Sequence, residues 1–403
     1  MSAVLPPDIP PPQPAQPPVQ EPPQPEIPPL QDPTPAPAPP EQPPAPGQPP
    51  VQEPPRQFLQ PSPMPSQQQQ AYKQDPGQFA QAPAAPVLAA LADSAPAPAA
   101  NQPVARYSVI HQTDYNYQSM VTLSQQYLHL SPRNFDYQQT ISHQIQVDPQ
   151  PEDACDSLDY FANATRKVTV TIPHQMLIVR AESVVDVYPR PGVQHIGGGT
   201  AWESLQTAMH QSQGAANLDP YQYLYNSPHI QCSDALRSYA LQSFTPGRPL
   251  LEAALDLTSR IHDEFQFDPD ATDIHTTLDE VLQGRRGVCQ DFAHMMIGCL
   301  RSLGLPARYV SGYILTHPPE GQARLIGADA SHAWTSLWSP VFGWVDFDPT
   351  NRCLVQHEHI TLGWGRDYSD VTPLRGIVLG GGAQLLSVSV TVTPITQGQN
   401  NLI

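Results

Sequence analysis

Gly287-Val288-Cys289-Gln290-Asp291-Phe292-Ala293 is the stretch from which the fold is read. After the glycine turn, apolar residues recur with helical spacing at Phe292, Met296, Cys299, Leu300 and Leu303. The pattern predicts a helix that begins at or just after Cys289 and is capped by Gly304, with Pro306 blocking any continuation. Cys289 therefore stands at a helix N-terminus, where the helix dipole and unpaired N–H groups favour a thiolate. A buried core cysteine is the common alternative. Cys299 fits that description, falling mid-helix among apolar neighbours, whereas Cys289 is flanked by Gly287, Gln290 and Asp291.

Downstream of this helix the period changes. Arg308 to Leu315 reads as a strand, a polar loop runs from His317 to Asp329, and further strands are predicted around His332–Trp338 and Gly343–Phe347. His332, in Ser331-His332-Ala333-Trp334, opens one strand. Asp348, in Trp344-Val345-Asp346-Phe347-Asp348-Pro349-Thr350, closes the next. Antiparallel neighbours bring the start of one strand beside the end of the other. A thiol, an imidazole and a carboxylate are the inventory for an activated cysteine nucleophile: Cys289 attacks, His332 moves the proton, and Asp348 orients His332. Asp346 competes for the orienting role from the same strand face, one pleat further in; Asp348 is favoured.

Upstream of Gly287 the chain is helical. Ser233 caps a helix carrying Leu236, Tyr239, Ala240 and Phe244, a second runs from Leu250 through Phe265, and a short third spans Leu278–Leu282. Gly284 ends it, and Arg285-Arg286-Gly287 forms the turn. Helices followed by consecutive strands mean α+β, a helix bundle packed on one side of an antiparallel sheet. Between Arg106 and Tyr188 the pattern has period two, as in Thr140–Val147, Lys167–Ile172 and Met176–Val187. This predicts an antiparallel, sandwich-like β domain. Five segments result: a proline-rich tail (1–104), a β-rich domain (105–190), a connector with a Gly197–Gly199 run (191–227), a core (228–355) and a C-terminal β extension (356–403).

Most of the 52 prolines lie before residue 104, interleaved with Gln, Ala and Glu. Proline lacks a ladder N–H and fixes φ, and the segment has too little apolar content to offset ordering entropy. It reads as a disordered, partly polyproline-II tail acting as a spacer or solubiliser, its partner unknown. The net charge of −18 repels phosphate backbones and argues against nucleic acid as a partner. No apolar run approaches the ~18–20 residues of a membrane span, and no basic start with an apolar stretch marks a secretory signal. The expected location is the cytoplasm. Five scattered cysteines with no C-x-x-C pair fit a reducing compartment.

These motifs resemble the transglutaminase-like superfamily in its bacterial form, the papain-fold group that includes proteins described as cysteine proteases. The resemblance runs through Gly287–His294, Leu305–Tyr313, Ser331–Trp334 and Gly343–Asn351. The region with His129–Arg133 and Asp159–Asn163 is similar to the β domain that precedes such cores, and Gly365–Pro373 also carries the likeness. The resemblance implies a catalytic triad of Cys289, His332 and Asp348, a papain-like transglutaminase core, and acyl chemistry on peptide or protein carboxamides. No cofactor and no metal are expected for this chemistry. Animal transglutaminases place a tryptophan upstream of the nucleophile to hold the oxyanion, and none lies between Trp202 and Trp334 here. The Cys289 N–H is one expected donor, with Gln290 or the 265–275 loop as candidates for the second.

Other candidates are weaker. His294 lies about 140° round the helix from Cys289, which disfavours a shared metal. Asp268, Asp270 and Asp273 lack the spacing of a calcium loop and read as solvated. His357 and His359 read as exposed strand residues rather than zinc ligands. The expected function is thioester-mediated hydrolysis or acyl transfer, hydrolysis being favoured. The alternatives are a crosslinking transamidase and a peptide-binding scaffold that keeps the fold without catalysis.

Overall fold

Alternating side chains fix the N-terminal half. The computed structural model describes residues 103–190, 199–211, 218–273, 276–317 and 331–395. The proline-rich tail and most of the 317–329 loop lie outside the described residues. Strands β1 (Ala105–Leu128), β2 (Gln138–Asp148), β3 (Asp153–Leu158), β4 (Ala164–Val170) and β5 (His174–Val187) occupy the period-two region. They are joined by β13 (Leu374–Gly380) and β14 (Gln384–Pro394). All seven belong to one hydrogen-bonded sheet, not to two stacked sheets as a sandwich requires. The reason is β1, which is 24 residues long and bonded along both edges. Its first half pairs β5 (Ala105↔Val187 to Asn116↔Met176) and β14 (Tyr107↔Pro394 to Tyr117↔Gln384). Past irregularities in register its second half pairs β4 and β13.

The helical segment follows its apolar spacing. Helix α1 (Trp202–Gln211) buries Trp202, Leu205, Ala208 and Met209 within what reads in sequence as a connector. A four-residue turn of helix, α2 (Leu218–Tyr221), follows. In α3 (Asp234–Leu241) the Ser233 hydroxyl accepts from the Leu236 N–H, as an N-cap should. Helix α4 (Leu250–Glu264) buries Leu250, Ala254, Leu257 and Ile261 on one stripe. Thr277 and Glu280 form a capping box for α5 (Leu278–Gly284), and Arg285 then turns left-handed at φ 53°. The next two residues, Arg286–Gly287 (β7), pair in parallel with Gln266–Phe267 (β6), which delivers the chain to helix α6 (Cys289–Ser302).

Every residue of α6 from Phe292 to Arg301 is buried. A helix enclosed on all sides is a core helix, and each fully buried Leu, Ile or Met side chain contributes about 1.5–3 kcal/mol of burial energy. Gly304, at φ +73°, reverses the chain into the second sheet. This antiparallel sheet has the order β11 (Cys353–Leu354), β10 (Gly343–Asp348), β9 (Ser331–Ser339), β8 (Ala307–Ile314) and β12 (His359–Gly365). Alternation along β9 sends Ala333, Thr335 and Leu337 towards α6, where the Thr335 hydroxyl donates to the Ala293 carbonyl at 3.1 Å. His332, Trp334 and Ser336 alternate with them. Residues 356–403 read in sequence as one extension; their described part, 356–395, divides between the sheets, β12 edging the second and β13 and β14 the first. Tyr107, Val109, Val185 and Val390 of the first sheet pack on Tyr313, Ile360 and Leu362 of the second. Both sheets belong to one compact unit.

Candidate active site

The position of Cys289 is set by a cap. Val288 is extended (φ −111°, ψ 177°), and the Asp291 carboxylate reaches back to accept its N–H at 2.8 Å, while the Thr272 hydroxyl donates to the same oxygen at 2.7 Å. A Cβ on Gly287 would lie 2.6 Å from that oxygen, so the motif's glycine supplies room, not an unusual φ. The cap leaves Cys289 as the first residue of α6, half-buried.

His332 stands opposite Gly312 in the β8–β9 ladder. A Cβ on Gly312 would meet the Ile360 carbonyl oxygen at 2.1 Å and the Trp334 ring at 2.5 Å. Only glycine lets β12 and the indole approach this closely. Asp348 is wholly buried. Its Oδ1 accepts the N–H groups of Thr350 (2.9 Å) and Asn351 (3.1 Å). Its Oδ2 is bonded to His332 Nε2 (2.7 Å), His359 Nε2 (2.9 Å) and Asn351 Nδ2 (2.7 Å). Burial alone would raise this carboxyl, but the His332 charge and these bonds hold it well below the usual range. His332 is the mirror case: burial lowers it, while Asp348 and a hydrogen bond with Cys289 outweigh that and raise it. His359 is lowered, because burial outweighs its bond to Asp348.

The three sequence-predicted residues therefore come together, linked from Asp348 through His332 to the Cys289 thiol. Asp346 does not share in this. Its Oδ2 instead takes Arg190 Nη1 (2.5 Å) and Trp334 Nε1 (3.2 Å). His294 also stands apart, stacked on His229 with ring centroids 5.6 Å apart and accepting the Tyr368 N–H. The expectation for His359 needs correction: it is 3% exposed and bonded to Asp348, while its neighbour His357 is exposed in a turn.

His332, Asp348 and His359 have the composition of a metal site and lie within one 4.8 Å cluster. The separations of 2.7 and 2.9 Å are hydrogen-bond distances, and five N–H donors already surround the carboxylate. The donor set fits a hydrogen-bond network and leaves the carboxylate no free lone pair for an ion.

Cys289 and His332 line a cavity of about 440 Å³ with Gln290, Tyr309 and Ser311. One wall is foreign to the core: His111, Thr113 and Tyr115 come from β1, and Leu386, Val388 and Val390 from β14. His111 is bonded to Thr113 and the Tyr313 hydroxyl, and burial pushes it down to about 4, so it is neutral near pH 7.

Comparison with known proteins agrees with this architecture. Residues 237–349 match the model of the transglutaminase-like superfamily core, and residues 107–186 that of the bacterial transglutaminase-like N-terminal region. An uncharacterized protein of Mycobacterium tuberculosis is 43% identical over 298 residues, covering 72% of this chain and 93% of that protein. Part of the chain also aligns with a protein-glutamine gamma-glutamyltransferase of Pseudomonas aeruginosa, 30% identical over 152 residues, 38% of this chain and 20% of that one. Among solved structures, "a Putative Cysteine Protease from Cytophaga hutchinsonii" superposes with a TM-score of 0.57 at 18% identity, over 73% of this chain and 91% of that one, which shows a shared fold. The chain belongs to the transglutaminase-like superfamily and carries the bacterial N-terminal region of that group.

Proposed function

We propose that this chain is a cysteine-dependent enzyme that cleaves or transfers the acyl group of a carboxamide or peptide bond. The observation that carries the proposal is the hydrogen-bonded series Asp348–His332–Cys289 at an open cleft. The sulfur of Cys289 attacks the carbonyl carbon. His332, raised by Asp348, takes the thiol proton as the sulfur–carbon bond forms and passes it to the departing nitrogen. The C–N bond breaks, the amine or ammonia leaves with that proton, and a thioester remains on Cys289. His332, now neutral, takes a proton from an entering water as its oxygen attacks the thioester. The carboxylic product leaves, sulfur is released and His332 is again protonated. An entering amine in place of water completes a transamidation instead.

Asp348 orients the imidazole and stabilises its charged form. The Cys289 N–H, in the first turn of α6, has no intrahelical carbonyl to serve and is free to donate to the oxyanion, with Gln290 on the cleft wall as the second donor. The neutral, partly apolar wall from β1 and β14 favours an uncharged peptide amide over a charged group. Hydrolysis is favoured over crosslinking. The gamma-glutamyltransferase likeness covers only a fifth of that relative, and no lysine-binding acceptor feature is evident among the described residues.

The test is a panel of dipeptide amides and glutamine-containing peptides, with released ammonia measured and acyl-enzyme sought by intact-mass spectrometry. Turnover with a Cys289-linked acyl adduct in the wild type, absent in Cys289→Ala, is expected. A protein that binds such peptides but forms no adduct with any of them, and whose Cys289 is alkylated equally fast in wild type and His332→Ala, is a scaffold.

A further inference from the structure

A second cavity, of about 540 Å³, shares no lining residue with the catalytic cleft. It lies where the loop after β1 meets the second sheet, and three guanidinium groups line it: Arg133, Arg190 and Arg308. Arg308 is 6% exposed and lies against two indoles, 4.2 Å from the Trp344 ring centroid and 3.7 Å from that of Trp364. Arg133 covers the same Trp364 ring at 3.6 Å. The faces of these cations are thus stacked on aromatic rings, but the N–H groups in the guanidinium plane need acceptors of their own.

Among the described residues those acceptors are only partly supplied: Arg133 gives Nη1 to Asn163 Oδ1 at 2.7 Å. The Nε of Arg133, the Nε of Arg308 and both Nε and Nη2 of Arg190 are buried and without a hydrogen-bond partner. Arg190 has a side chain only 6% exposed and spends Nη1 alone on Asp346. Its Nε–Nη2 edge is the fork that grips a carboxylate or phosphate with two parallel bonds. Elsewhere this chain uses that fork in the ordinary way: Arg106 gives Nε and Nη2 to the two oxygens of Asp186, at 2.5 and 2.7 Å. Charge tells the same story. Asp346 is the one buried carboxylate among the described lining residues, and Asp136 and Asp219 are exposed. Two buried cations, Arg190 and Arg308, and the half-buried Arg133 face one buried anion, an excess of positive charge that folded proteins rarely tolerate without a partner. Burial accordingly pushes Arg308 down to about 10 and lowers Arg133.

We propose that this cavity is a binding site for a small oxyanion, a carboxylate or phosphate carried on a compact apolar body. The oxyanion meets the free fork of Arg190 and the Nε groups of Arg133 and Arg308, and the apolar body lies against the aromatic lining. The site does not depend on the reading of Cys289.

The experiment titrates the full-length protein with inorganic phosphate, phenyl phosphate and benzoate at constant ionic strength, chloride serving as the control. Thermal stabilisation and tryptophan fluorescence are read together, since Trp344 and Trp364 line the cavity. A saturable response to at least one probe is expected, weakened about tenfold or more by Arg190→Gln and unchanged in Cys289→Ala. Preference among the three probes assigns the source as phosphate or carboxylate. If Arg190→Gln does not fold, Arg133→Lys keeps the charge, removes the Nε donor and weakens binding likewise. No saturable response to any probe at tens of millimolar overturns the proposal, as does wild-type affinity in the arginine variant that folds.

Discussion

The carboxylate of Asp348 sets the electrostatics of its neighbourhood. His332 is raised and Asp348 lowered, so each contributes stability over its own pH range. For His332 that stability is complete below the ordinary histidine value of about 6.5 and fades as pH rises towards its raised value. For Asp348 it is complete above about 3.9 and fades as pH falls. Asp348→Asn should therefore cost most between about pH 4 and 6.5, on the order of 3–5 kcal/mol, with the penalty shrinking on either side in urea melts across pH. His359→Leu removes one of the bonds on Oδ2 and should lower kcat about tenfold and alter the pH–rate profile, with partial rescue by His359→Gln. Cys289, His332 and Asp348 were legible because each sits at an element end marked by glycine, tryptophan or proline. His359 was not: following Gln356-His357-Glu358 it looks solvated, and only its position at the head of the apolar strand Ile360–Trp364 hints otherwise.

The N-terminus of α6 joins sequence motif to geometry most directly. Gly287→Ala places a methyl group against the Asp291 carboxylate and dislodges the cap on Val288. The expected loss is about 0.5–2 kcal/mol of stability, by chemical denaturation, together with a larger fractional loss of activity because Cys289 moves. Asp291→Ala should cost a similar amount, and the double variant little more, since both break one interaction. Gly312→Ala should be worse, because the added Cβ meets backbone that cannot swing away. Helices with caps and a strong apolar stripe were readable: Ser233 and its helix, and the α6 core face. Helix α1 is not legible in the sequence, because its stripe of Trp202, Leu205, Ala208 and Met209 is short and lies in glycine-bounded, polar sequence.

At the scale of the whole molecule, the two sheets are interdependent. Deleting residues 374–403 strips β13 and β14 from β1 and removes Leu386, Val388 and Val390 from the cleft. An exposed, unpaired β1 edge invites aggregation, so the truncated protein should be insoluble or inactive, as judged by size-exclusion chromatography and turnover. Local periodicity revealed that strands exist but not which edge each joins. Nothing near Ser387 signals that its partner is Asp114, so the pattern predicts a sandwich where the chain builds a single sheet on β1. The Tyr107↔Pro394 pairing also has a meaning in time. On a ribosome β14 is made long after Cys289, so a nascent chain presents this thiol before the cavity around it is closed. Synthesis order thus leaves that thiol without its far wall until the strand Gln384–Pro394 has emerged.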